Sequence, residues 1–149
     1  MDPHPRTRFG LEFALLARRW RRTLDTRLAE AGLTDATWAP LVHLHESGDG
    51  ISQKALAALV GLDASSLVRL LDILVARGLV ERRTDPADRR ARLIYLTGPG
   101  RVAVADILRL LNGREAEILA DVSDADLTRV MDVFARIARR LPPLGEDRA

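Results

Sequence analysis

The run SQKALAALVGLDASSLVRLLDILVARGLVERRTDPADRRARLIYLT, residues 52–97, carries the signals of a small and complete architecture. Ser52 stands where an N-cap belongs, ahead of a short helix expected to bury Ala55, Leu56 and Leu59. "GLD" at 61–63 makes a tight turn, and Asp63 is placed to cap the next helix. That helix sets Leu67, Leu70, Leu71 and Leu74 in one apolar stripe and stops at Gly78. Two helices joined by a short turn containing glycine have the helix-turn-helix spacing. "LVERRT" and "RLIYLT" flank the polar "DPAD" and read as the strands of a hairpin, a wing.

The second helix of this unit carries a polar face opposite its leucines. Ser65, Arg69 and Asp72 fall at i, i+4 and i+7, flanked by Ser66 and Val68. Short hydroxyls near a helix start can approach a DNA backbone or base edges, and an arginine can fork onto guanine O6 and N7. The helix N-terminus also favours phosphate. On the hairpin, Asp88 lies two residues before Arg90, where its carboxylate can hold the guanidinium by a forked ion pair. An arginine at a hairpin tip suits a narrow A·T-rich minor groove, with Arg89 and Arg92 left for phosphates.

Outward from this unit the chain turns helical on both sides. Over residues 9–31, Phe13, Leu16, Trp20, Leu24 and Leu28 recur at helical spacing beside the basic run "ARRWRRTLDTR". Gly32 is a plausible stop, Thr34 or Asp35 the next cap, and Pro40 falls in the first turn that follows. Trp38, Leu41, Val42 and His45 then share one face until "ESGDG" breaks the helix. Beyond Thr97 an amphipathic helix over about 99–120 is expected, and Ser123 with Asp126 resembles a capping box. The last helix aligns Leu127, Val130, Met131, Phe134, Ile137, Ala138 and Leu141, and the prolines at 142–143 end it. One copy of the chain has too little other surface to cover all these stripes, so a twofold homodimer is expected. The fold class is therefore mainly α with a small β wing. Residues 34–97 form a winged helix-turn-helix DNA-binding domain, and 1–33 with 98–149 form dimerisation helices.

Composition narrows the function classes. The 149 residues are 47% hydrophobic and 30% charged, the balance of a globular chain. No apolar run is long enough to span a membrane, and the start lacks the apolar core of a signal peptide, so a cytoplasmic protein is expected. The absence of cysteine removes thiol catalysis, thiolate metal sites and cysteine-based redox sensing. The three histidines are too scattered for a metal site, and no cofactor is expected. Net charge is only +2, yet residues 64–97 hold seven Arg/Lys against four Asp/Glu, while 34–63 hold one against four. A local basic patch on a near-neutral chain fits a specific polyanion site. No nucleophile–base pair or phosphate-binding glycine loop supports an enzyme.

The run 52–97 resembles the MarR family of bacterial transcription regulators, most closely its SlyA-like branch. "SLVRLLD", "ARGLVERR" and the "DPADRRA" wing ending in "LT" carry the likeness. It extends upstream through "RRWRRTLDTRL" and "GLTDATWAPL" and more loosely through the last two helices. The resemblance implies a homodimer on a pseudo-palindromic operator in double-stranded DNA. It implies Ser66, Arg69 and Arg90 as DNA contacts, with Asp88 orienting the wing arginine. It implies a transcription regulator, often a repressor relieved by a small aromatic carboxylate or phenolic effector bound between the dimerisation helices and the DNA-binding unit. In that region Arg21 corresponds to a position that can pair with a ligand carboxylate. Trp20 and Trp38 lie nearby, and His45 shares the Trp38 face. One turn after the tryptophan, where SlyA-like proteins can carry a histidine, this chain has Val42. An architectural or anti-silencing DNA-binding protein without ligand response would share every DNA motif, and only its indifference to small molecules would set it apart.

Overall fold

The computed structural model describes residues 4–31, 33 and 36–144. Gly32, Thr34 and Asp35, expected as helix stop and caps, lie outside the described residues. Among the described residues, six helices and three short strands follow in the order α1 (Pro5–Glu30), α2 (Trp38–Ser47), β1 (Ile51–Ser52), α3 (Gln53–Val60), α4 (Ala64–Ala76), β2 (Val80–Thr84), β3 (Arg92–Leu96), α5 (Gly98–Ile118) and α6 (Asp124–Ala138). α1 starts four residues earlier than its apolar stripe suggests. Pro5 presets the first helical turn and His4 Nδ1 accepts the Arg6 N–H at 3.3 Å.

Side-chain caps set the starts of α3, α4, α5 and α6. Ser52 accepts from Ala55 N (3.1 Å), Asp63 from Ser66 N (2.7 Å), Thr97 from Gly100 N (3.0 Å) and Ser123 from Asp126 N (3.1 Å). The Ser123 hydroxyl also donates to the Asp126 carboxylate at 2.9 Å, so the pair is reciprocal. At α2 the N-cap position belongs to Thr37, whose hydroxyl accepts from Arg77 Nη1 at 3.4 Å. Gly61, at φ 77°, closes α3 with its N–H on the Ala57 carbonyl. Only Leu62 and Asp63 then separate it from α4.

The sheet is antiparallel in the order β1-β3-β2. β1 was not expected; it adds Ile51 and Ser52 opposite Ile94 and Leu93 on the far edge of the hairpin. Leu56, Leu67, Leu71, Leu74 and Ile94 are fully buried, and the same cluster takes in Leu24 and Leu28 of α1 and Val104, Ile107 and Leu111 of α5. Two core expectations shift. Ala55 and Leu59 are half-buried, and Ala57 joins Leu56 inside, because α3 presents the Leu56–Ala57 edge to the core. Leu70 is also only half-buried.

α5 is locked to the base of the wing. The Thr97 hydroxyl donates to the Gly78 carbonyl at 2.6 Å. Gly100 is buried against Leu79, with no room for a Cβ: the added atom would lie 2.0 Å from the Leu79 carbonyl oxygen. No helix among the described residues is long and apolar enough to cross a membrane.

Candidate nucleic-acid interface

The exposed face of α4 begins at a clasp around Asp63. Its Oδ1 takes the Ser65 hydroxyl (2.8 Å) and the Ser66 N–H (2.7 Å), and its Oδ2 takes the Ser66 hydroxyl (3.1 Å). The Ser66 N–H bond, followed by the two serine hydroxyls, holds the Asp63 carboxyl below its ordinary pKa. The carboxylate therefore occupies the helix N-terminus that the sequence offered to phosphate, and it uses the serine hydroxyl protons. What Ser65 and Ser66 can offer outward is oxygen lone pairs. Arg69 is exposed one turn further on, with no hydrogen bond or ion pair among the described residues. Asp72, the next polar position on this face, is paired: Arg82 Nη2 lies 2.7 Å from its Oδ1.

Two aspartates build the wing tip by bonding backbone. Asp85 Oδ1 accepts from Ala87 N (2.9 Å), and Asp88 Oδ1 accepts from Arg90 N (3.0 Å). Asp88 thus meets Arg90 through its N–H and not through its guanidinium, in place of the expected forked pair. The loop curls at this point, so the two side chains do not share a strand face: Asp88 N and Ala91 N close successive turns on Asp85 O and Asp88 O. Arg89 and Arg90 are exposed, and Arg90 has no ion-pair partner among the described residues. Arg92 folds back instead, its Nη1 reaching Thr84 Oγ1 and the Arg89 carbonyl, both at 3.3 Å. It braces the hairpin that carries the other two. A groove of about 680 Å³ runs between the wing and the starts of α3 and α4, lined by Gln53, Lys54, Asp63, Arg90 and Arg92 among others. Sequence reading missed Gln53 and Lys54 because their helix was assigned only a core role.

The residues considered for ligand binding divide into two places. Arg21 stacks on the Trp38 ring with its guanidinium carbon 4.4 Å from the centroid. Asp25 ties the pair together, accepting from Trp38 Nε1 (2.9 Å) and Arg21 Nε (3.4 Å). Trp38 is buried, while Trp20 and Val42 pack half-buried against the core. His45 stands apart and exposed, beside Arg101, Leu108 and Arg109 of α5. His43, the histidine nearer Arg21, has its pKa lowered, first by burial and then by the Arg21 charge, with Glu46 opposing. No group of three His, Asp or Glu able to hold a metal occurs among the described residues.

A capped helix-turn-helix, a β-wing with arginines at its tip and long flanking helices define a winged-helix DNA-binding protein of the transcription-regulator class. A sequence profile of the MarR family matches residues 31–91. The solved structure of the transcriptional regulator PA3341 is 36% identical over 89% of this chain and 96% of its own, with a TM-score of 0.78. A MarR-family regulator from Rhodococcus sp. RHA1 is 27% identical over 94% of this chain and 99% of its own, with a TM-score of 0.79. CouR from Rhodococcus jostii RHA1, solved with p-coumaroyl-CoA, is 27% identical over 87% of this chain and 91% of its own (TM-score 0.72). CouR, described as a transcriptional repressor, is also solved on a 23-mer DNA duplex. The chain belongs to the MarR family.

Proposed function

We propose that the chain is a homodimeric, sequence-specific DNA-binding transcription regulator. Each subunit inserts α4 into a major groove and rests its wing near the flanking minor groove of a pseudo-palindromic operator. The observation that carries this reading is the pairing, in one unit, of the Arg69 side chain on α4 with the Arg90 side chain on a wing tip organised by Asp85 and Asp88, both exposed and without a partner among the described residues. Arg69 reads a base edge, Arg90 the minor groove and Arg89 the backbone, while the Ser65 and Ser66 hydroxyl oxygens can accept from a base amino group. Residues 34–97 form the DNA-binding domain, while 1–33 and 98–149 form the dimerisation helices. A small aromatic acid or its thioester releases the DNA. Support for that step comes from CouR, a relative solved with an aromatic acyl-CoA, and from Arg21 stacked on Trp38 where α1 meets α2, with Trp20 and Val42 packed half-buried against the core.

Fluorescence anisotropy on the DNA upstream of the chain's own gene tests the reading, against scrambled competitor and at several salt concentrations. Binding that survives competitor and weakens steeply with salt is expected. Arg69→Ala should cost roughly 1–3 kcal/mol on the operator; an equal loss on every DNA would reduce Arg69 to a phosphate contact. Arg90→Ala should weaken binding and relax the preference at flanking A·T positions. Release by salicylate or p-coumaroyl-CoA would establish the sensor. Indifference to both would favour the architectural reading.

A further inference from the structure

We propose that Arg82 is a positioning residue: it fixes the angle between α4 and the wing, and with it the register in which Arg69 and Arg90 meet DNA. The proposal rests on the DNA-binding reading above. Strand alternation puts Arg82 on the same face of β2 as buried Val80, directly opposite the fully buried Ile94. A guanidinium thus enters a place suited to an aliphatic side chain. It reaches across to the middle of α4, where Nη2 donates to the Val68 carbonyl at 3.2 Å and to the Asp72 carboxylate at 2.7 Å. Those two residues bracket Arg69 on the same helical turn. Along the other direction, β2 leads straight into the loop that presents Arg90. Arg82 therefore joins the two DNA-reading arginines through two directional bonds.

Stability alone does not account for this arginine. Its Nε is buried with no hydrogen-bond partner, which costs free energy that an unbranched apolar side chain would not incur. Replacing a partly buried ion pair by packed apolar atoms is often neutral or stabilising. A fork with two acceptors on α4 does what an apolar contact cannot: it resists rotation and sliding of the wing on the helix. It also neutralises Asp72, whose side chain is 61% exposed on the polar face of α4 that carries Arg69.

Two variants separate positioning from charge. Arg82→Met bares the Asp72 carboxylate toward DNA, and Asp72→Ala removes it, so on charge alone their affinities move in opposite directions. Positioning predicts that both lower the ratio of operator to scrambled-DNA affinity, by about tenfold. Anisotropy titrations on both DNAs give this ratio, and thermal unfolding of Arg82→Met should show little or no loss. Ratios that stay at the wild-type value in both variants, while affinities move oppositely on both DNAs, overturn the proposal and leave Arg82 as a charge balancer. If Arg82→Met does not fold, the ratio in Asp72→Ala decides. Wild-type protein with no preference for its operator would overturn the DNA-binding reading itself, and this proposal with it.

Discussion

The helix-turn-helix unit and the terminal helices have similar apolar periodicity and opposite fates. In the unit the stripe is inside: Leu67, Leu71 and Leu74 of α4 are at 0% exposure. α6 has an apolar face as well ordered, yet buries no residue, and its Met131 remains 64% exposed. α1 divides along its length, with Leu24 and Leu28 in the core while Phe9, Phe13 and Leu16 lie open. Phe13 meets Phe134 edge-on at 5.6 Å, so the open faces of α1 and α6 join into one patch. Amphipathic pattern shows that a face will be buried, not in which chain. The core around the middle unit is closed within one chain, with Leu24 and Leu28 of α1 and Val104, Ile107 and Leu111 of α5 contributing to it, whereas α6 and the first half of α1 leave an apolar face open.

The strongest way to break that contrast is to charge the open patch. Met131→Asp with Phe134→Asp should convert the proposed dimer to a monomer in analytical ultracentrifugation. Helical circular dichroism should survive, because the core of the middle unit is untouched. Operator affinity should fall steeply once the two half-site readers are no longer joined. A double variant that stays dimeric would remove α6 from the interface.

Truncation inside the middle unit should behave differently. Leu71→Ala is expected to cost about 2–5 kcal/mol in denaturant unfolding. Phe134→Ala should show its cost as a dependence of unfolding on protein concentration, since it would act through association. Concentration dependence of equal size in both variants would mean that the middle unit does not fold on its own. Within α5 the contrast narrows to two glycines. Gly100→Ala drives a Cβ into the Leu79 carbonyl and should cost roughly 1–3 kcal/mol. Gly113→Ala meets nothing within 4 Å and should be neutral, or stabilise by up to about 1 kcal/mol. A penalty for Gly113→Ala would place a second chain against that part of α5.

Where periodicity and caps agree, the elements follow from the residues: Ser52, Asp63 and Ser123 all cap the helices they precede. β1 had no such signal. It is two residues long, and it is placed by Gly48 and Gly50 at positive φ and by the tertiary pairing with Ile94. Alternation tells that Arg82 and Arg83 point to opposite faces of the hairpin, but not which faces the helix; that depends on the register between β2 and β3. Arg83 consequently stacks on Tyr95, 4.0 Å from the ring centroid, while Arg82 enters α4. His45 falls on the Trp38 side of α2 by spacing, yet it sits in the last turn with exposed Glu46 and Ser47, beyond the reach of the core. Asp88 was legible as a wing organiser but not in its means, because an N–H bond and an ion pair have the same sequence spacing.

The smallest expected effect concerns Asp49, which ties the loop after α2 to the start of α5. Its carboxylate pairs with the Arg101 guanidinium, and its Oδ1 accepts the Leu96 N–H at 3.1 Å. The Arg101 hydrogen bond lowers the Asp49 pKa from the ordinary 3.8; desolvation, the next largest influence, opposes it, and the Leu96 N–H and the Arg101 and Arg83 charges add to the lowering. A carboxyl with a depressed folded-state pKa contributes stability that is fully present above the unfolded value. That contribution is lost as pH falls through the folded one. Wild-type protein should therefore lose this contribution only below about pH 4, and Asp49→Asn should flatten that part of the acid limb while shifting the neutral-pH midpoint slightly downward. Denaturant titrations between neutral pH and pH 3 would show it. The shift should not vary with protein concentration, since Asp49 joins segments of one chain. A shift that does vary would mean that this contact between the α2 loop and α5 depends on association with a second chain.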